Sequence, residues 1–162
     1  MVGDGATLSS LSFVRIAERA GVSRNSIYRR WKTKERLLVD VAKSIGRGTP
    51  DLNEHSAREN VVKVLDHYFT RDMDPRVVRL EQSIAAEAME FPYVFDCYAD
   101  VVDVPLGNAL RTAIRGGKDT GEIRVDVDEN VLVAVLVSAD RGRDGTGSQR
   151  LVDLVFDGVC PA

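Results

Sequence analysis

The sequence predicts an all-α fold opened by a helix-turn-helix. Three observations predict it. Apolar residues recur at helical spacing along nearly the whole chain, hydroxyl and carboxylate cap residues precede those runs, and Gly or Pro ends them. No segment alternates apolar and polar residues as a half-buried strand would, and no internal repeat is visible.

The elements follow in order. Ser12 caps a short helix over 13–20, with Phe13, Ile16, Ala17 and Ala20 on one face. Gly21 ends it, as a residue free to take positive φ. Ser23 caps a second short helix over 24–31, and Thr33 a third over 34–44. "IGRGTPD" then breaks the pattern. A longer helix is expected over 53–70, with Val61, Val64, Leu65, Tyr68 and Phe69 as its apolar stripe. Asp74-Pro75 opens another, to about residue 90. Pro92 opens a third, which is expected to run to Gly116-Gly117 and to kink or divide at Pro105. "KDTGEIRVD" reads as a loop, Asp126 or Asp128 as the cap of "ENVLVAVLVSA", and a last helix spans 149–158. Between the last two lies the Gly-rich linker "DRGRDGTGSQ" over 140–149.

Charge separates the first part of the chain from the rest. The 162 residues carry a net charge of −3. Yet residues 12–36 hold eight basic side chains against two acids, a net +6, which leaves −9 for the remainder. Such a split points to a nucleic-acid or membrane contact at the basic end. A face of solvated charge is the plainer alternative, and the arrangement of the side chains decides between the two.

Two short helices joined by a Gly-containing turn outline a helix-turn-helix, whose second helix enters the major groove. At about 100° per residue, Ile27 and Trp31 fall on one side and can pack against Ile16, Ala17 and Ala20. Asn25 and Arg29 point the opposite way, with Ser26 and Tyr28 flanking them and Arg24 in the first turn. Arg can grip guanine and Asn adenine through paired hydrogen bonds. Ser26, Tyr28, Arg30, Lys32 and Lys34 suit phosphate, which fixes register without reading sequence. Lys34 also sits where the amides behind Thr33 form a helix N-terminus, itself an anion site.

The segment "IAERAGVSRNSIYRRWKTKERLL" resembles the DNA-binding signature of the TetR/AcrR family of bacterial transcriptional repressors. The likeness rests on Ile16-Ala17, Ala20-Gly21-Val22-Ser23, Ile27-Tyr28, Trp31, Lys34-Glu35 and Leu37-Leu38. A LacI-type helix-turn-helix shares the "IA..AGVS" opening, but Trp31 and "KTKERLL" favour the TetR likeness. The resemblance implies groove contacts from Arg24, Asn25 and Tyr28, and phosphate contacts from Ser26, Arg29, Arg30 and Lys34. The helical-wheel reading sets Arg29 nearer the bases, and both placements stand at this point.

The rest of the chain is similar to that family's regulatory domain, a helical bundle, in "GEIR..VD" and "QRLVDLVFDGV". The resemblance implies a DNA-binding domain over 1–46 and an effector-binding and dimerisation domain over 47–162. It implies a homodimer through the last two helices, an unidentified small-molecule effector, and an effector-driven shift of the helix beginning at Lys34. A double-stranded operator is the implied partner, with a palindrome matching the two-fold axis. Val131, Leu132, Val135, Leu136, Leu151, Leu154 and Val155 are candidates for the dimer interface or, equally, for the domain's own core.

The family places a full helix ahead of the one starting at Phe13, whereas "MVGDGATLSSLS" resembles only the connector after it. The head is therefore expected to be N-terminally incomplete. Phe13, Ile16 and Trp31 would then lose cover, and exposing roughly 200 Å² of apolar surface costs about 5 kcal/mol. A dimeric ligand-binding protein that has lost DNA binding is the alternative reading. The Gly-rich linker replaces part of the family's penultimate helix, which bears on dimerisation.

An enzyme is not expected. His55 and His67 lack a metal-binding or nucleophile partner pattern, and no glycine loop carries a following Lys-Ser/Thr. Glu87 and Glu90 read as solvated charge on a helix. Cys97 and Cys160 make no metal-ligand pattern and read as two thiols, with one disulfide as the alternative. No cofactor or metal is implied. "MVGDGATLSS" is not a signal peptide and no apolar run reaches membrane-spanning length, so a cytoplasmic location is expected.

Overall fold

In the computed structural model, residues 7–46, 48–69, 74–141 and 148–160 are described. They form α1 (Phe13–Ala20), α2 (Arg24–Arg30), α3 (Lys34–Ser44), α4 (Ala57–Phe69), α5 (Pro75–Ala86), α6 (Pro92–Val101), α7 (Asp103–Asp119), α8 (Glu129–Arg141) and α9 (Ser148–Val159). The described residues contain no strand, so the all-α expectation stands. The expected incomplete head and the Gly-rich linker bear on residues 1–6 and 142–147, which lie outside the described residues.

The chain divides into two compact units. Residues 1–46 with 73–101 form one, and 47–72 with 102–162 the other. In the first, α1 packs on α2, while α3 and α5 both pack on α6. Its core includes Leu8, Phe13, Ile27, Leu38, Ile84 and Val94. Phe13 is only 9% exposed, so the expected loss of cover does not reach it. Ile16 and Trp31 are half-buried, and Ala20 is exposed. The inward place expected for Ala20 is thus corrected: it ends α1 beside the turn and borders an open apolar groove with Val22, Ile27 and Trp31.

In the second unit, α4 packs against α7, α8 and α9, and α8 also packs on α7 and on α9. Leu65, Leu110, Ile114, Leu136 and Phe156 are fully enclosed. Arg58 ties α4 to α9 by donating to Asp153 at 2.6 Å, with Asp157 at 3.5 Å, while its guanidinium lies 5.3 Å from the Phe156 ring. Hydrogen bonding with Asp153 raises the Arg58 pKa, and bonds from Gln149 and then Arg58 lower that of Asp153.

Several boundaries differ from expectation for identifiable reasons. The fourth helix starts at Ala57, because Ser56 and Glu59 form a capping box: the Glu59 amide donates to Ser56 Oγ at 3.1 Å and the Ser56 amide to Glu59 at 3.2 Å. α5 stops at Ala86, four residues early, where Glu87 forms its C-cap. The helix from Pro92 divides at Val102, not Pro105. Pro105 sits in the first turn of α7, where its missing N–H is not needed. Asp128, not Asp126, caps α8, accepting from the Asn130 and Val131 amides at 2.8 and 3.0 Å. Cys97 and Cys160 are both free thiols.

α7 runs past Gly116-Gly117 to Asp119, and the glycine at 117 serves close packing. A Cβ there would lie 2.6 Å from Ala57 Cβ and 2.8 Å from Ile123 Cδ1. The loop beyond it ties two other helices together. Gly121 takes φ 78°, Glu122 accepts from the Ala57 amide at 2.9 Å, and the Arg124 amide donates to the Val159 carbonyl at 3.0 Å. Ile123, 1% exposed, fills the space the glycine leaves. None of the described helices is long and apolar enough to cross a membrane.

Gly117→Ala should therefore destabilise the protein by about 1–2 kcal/mol, since overpacking outweighs the gain in helix propensity. Urea unfolding followed by circular dichroism measures it, and a variant as stable as the parent would show that the contact yields freely.

Candidate nucleic-acid interface

Three hydroxyl caps build the helix-turn-helix. The Ser12, Ser23 and Thr33 side chains accept from the Arg15, Ser26 and Arg36 amides at 3.3, 3.1 and 3.2 Å. Each satisfies an amide that a helix start leaves open. Gly21, at φ 65° and ψ 26°, reverses the chain between α1 and α2, and the Val22 amide closes the turn on the Ala17 carbonyl at 3.1 Å. Left-handed geometry of this kind strains any residue bearing a Cβ.

The seven-residue α2 buries one side chain, Ile27. Around it stand Arg24, Asn25, Ser26, Tyr28, Arg29 and Arg30, all exposed. Tyr28 is half out of solvent: its ring meets Phe13 edge-on, centroids 4.9 Å apart and planes at 86°, at 49% exposure. That packing holds the ring while about half of the residue stays exposed. Asn25 and Arg29 make no side-chain hydrogen bond or ion pair among the described residues. Arg24 lies 3.4 Å from Glu18, with both side chains more than 60% exposed. Such a pair is worth little and yields readily to a stronger anion.

The remaining expected residues are partly engaged. Ser26 Oγ shares a hydrogen bond with Ser23 Oγ at 2.9 Å. The Arg30 guanidinium stacks 4.9 Å from the Trp31 ring. Trp31 donates from Nε1 to Asp40 at 2.8 Å, which joins the end of α2 to α3. Lys34 is half-buried, donates to the Ser9 carbonyl at 2.9 Å and lies 5.1 Å from the Phe91 ring. An ammonium has three donors, of which the Ser9 carbonyl takes one.

Glu87 and Glu90 are corrected from solvated charge to a clasp. The Glu87 carboxylate accepts from the Leu8 amide at 2.6 Å, the Ser9 amide at 2.9 Å and the Ser9 hydroxyl, while Glu90 lies 2.7 Å from that hydroxyl. Burial pushes the Glu87 carboxyl up, but its bonds from Ser9 and Leu8, with the Lys34 charge nearby, outweigh this and leave its pKa below the ordinary value. A group whose folded pKa is lowered contributes stability above its ordinary pKa and loses it as pH falls through the folded value. The clasp therefore weakens in acid. Local patterning gives no signal for a contact that spans 79 residues.

Comparison with known proteins gives the head a family likeness. Residues 8–41 match the family described as bacterial regulatory proteins, tetR family. Comparison with curated protein sequences returns no match. Three solved structures resemble the chain along nearly its whole length. TetR family transcription regulator SCO0332 is 25% identical, with 99% of this chain and 94% of that one covered at a TM-score of 0.58. A TetR-family regulator from Rhodococcus sp. is 20% identical, over 96% and 88%, at 0.61. The regulator PfmR from Thermus thermophilus is 16% identical, over 93% and 90%, at 0.51. At these identities the last two speak for the fold alone.

Ile27→Ala removes the one buried anchor of α2 and should cost about 2–4 kcal/mol in the head. The fluorescence of Trp31, the single tryptophan, reports the loss during urea unfolding. A shift below about 0.5 kcal/mol, well under the usual cost of an Ile truncation, would show that α2 is held by something else.

Proposed function

We propose that this TetR-family transcriptional regulator is a ligand-responsive repressor that binds a palindromic operator as a homodimer. The observation that carries the DNA reading is the exposed donor face of α2 around its single buried residue. Arg24, Asn25 and Tyr28 are assigned to the groove, and Ser26, Arg30 and Lys34 to phosphate. Arg29, which has no partner among the described residues, is assigned to phosphate with reach toward the bases. DNA reading belongs to 1–46, and effector binding and dimerisation to 47–162. Repression is assigned from the likeness alone. The protein works by binding without turnover of its own, and a chromosomal partner puts it in the cytoplasm.

Dimerisation is supported by the way the last two helices divide their apolar residues. Leu132, Leu136 and Leu151 are core, whereas Val131, Val135 and Leu154 are 62%, 46% and 70% exposed. Val131 and Val135 stand one turn apart on α8, the spacing that an interface helix uses. A single seven-residue reading helix makes few contacts, and a two-fold pair doubles them. For the effector, an open cleft of about 390 Å³ between α7 and α8 sets Leu106, Val133 and Val137 beside Asn108, Arg111 and Asn130. That size suits a small organic molecule.

Fluorescence anisotropy on labelled DNA flanking its own gene, with random duplex as competitor, tests the reading. Arg24→Ala and Tyr28→Phe should each weaken specific binding by about 1–3 kcal/mol, with the helical signal unchanged. Affinity should fall steeply with salt. No binding by a helical, dimeric sample would instead favour a ligand-binding protein without DNA function. Leu154→Asp should convert the dimer to monomer in sedimentation velocity. A dimer undisturbed by that change would remove α9 from the interface.

A further inference from the structure

We infer that Glu87 is the positioning residue of the DNA-reading head. The inference rests on the reading that α2 contacts DNA. Within the first unit α1 packs on α2, and α3 packs on α6. Groups that fix one pair against the other therefore set how α2 is presented.

Ser9 is the residue where such groups meet. Its amide and hydroxyl donate to Glu87, at the C-cap of α5, and the preceding Leu8 amide donates to the same carboxylate at 2.6 Å. Its carbonyl accepts from Lys34, the first residue of α3, at 2.9 Å. The Ser9 hydroxyl has one hydrogen, so Glu87 and Glu90 share it in turn. Leu8 is fully buried, which holds this short stretch by its side chain as well as its backbone. Ser12, three residues on, caps α1. The Glu87 carboxylate thus takes three donors from the lead-in to α1, while the Ser9 carbonyl ties that lead-in to the start of α3.

The chemistry makes Glu87 hard to replace. Hydrogen bonds to an ionised acceptor are about twice as strong as neutral ones. A glutamine at 87 keeps the shape but presents N–H to one of the two amides, so that amide loses its partner. The lead-in then slackens, and the angle at which α1 and α2 meet DNA spreads.

The experiment compares Glu87→Gln and Ser9→Ala with the parent protein, by anisotropy on labelled DNA flanking its own gene and on random duplex. Glu87→Gln should lower the specific-to-random affinity ratio roughly tenfold, within the usual range of coupling between sites. Ser9→Ala should lower it less, and the double variant should fall no further than Glu87→Gln alone. Hydrogen exchange at the Leu8 and Ser9 amides should quicken in Glu87→Gln. Gly117→Ala, in the other unit, is the control for lost stability and should keep the parent ratio. A parent protein that does not separate the two duplexes overturns the DNA reading and this inference together. A parent that separates them, with Glu87→Gln equal to it or with Gly117→Ala falling equally, overturns this inference alone. Should Glu87→Gln fail to fold, Ser9→Ala decides: an unchanged ratio overturns the role, and a lowered one supports it.

Discussion

The reading helix hangs on one buried side chain. α2 has seven residues, of which Ile27 alone is buried. Isolated helices shorter than about 12–15 residues are marginal in water even with favourable composition. This one also gathers Arg24, Arg29 and Arg30 on a single short segment, which repel one another. Its stability is therefore borrowed from its surroundings. Ser23 caps its start, the Trp31 amide closes its end on the Ile27 carbonyl at 2.8 Å, and Phe13 supports Tyr28 from α1. The left-handed turn at Gly21 brings the two helices into register for that contact. A helix crowded with outward donors has little surface left for a core, and the rest of the head compensates.

In the second unit the turn after α7 plays the corresponding part. Four successive residues have different duties there. Gly121 supplies the positive φ, Glu122 takes the first amide of α4, and Ile123 fills the space beside Gly117. Arg124 then pairs its amide with the carbonyl at the end of α9. A short loop thus joins the beginning of one helix to the end of another, far apart in the chain. Arg58 repeats the tie from α4 to α9 with its two carboxylate partners on successive turns.

What the sequence showed of this follows the range of the interactions. Caps at Ser12, Ser23 and Thr33 and the turn at Gly21 act within three or four residues, so side-chain type and spacing expose them. The partition of Leu132 and Leu136 from Val131 and Val135 was not legible, since helical spacing gives faces without saying which neighbour covers each. Ala20 failed for a related reason: the wheel turned it inward, but α1 ends there before α2 can cover it. The Ser56–Glu59 capping box is local and readable, yet the helix start was expected earlier, at 53. Gly117 looked like a stop because glycine often ends helices, whereas close packing against Ala57 explains it. Glu87 and Ser9 lay beyond any local reading, being 78 residues apart.

The division of labour on α2 has a consequence for how such a head can change over generations. Asn25 and Arg29 are exposed and without partners among the described residues, and Arg24 is held by a weak surface pair. If α2 contacts DNA as proposed, replacing these three would alter which contacts it makes at small cost to folding. Tyr28 is different, because its ring is packed on Phe13, and exchanging it disturbs the scaffold together with the contact. On the proposed DNA reading, new operators would thus be within reach through single steps at 24, 25 and 29. A lineage of regulators could drift apart in target while Ile27, Gly21 and Tyr28 stay where they are.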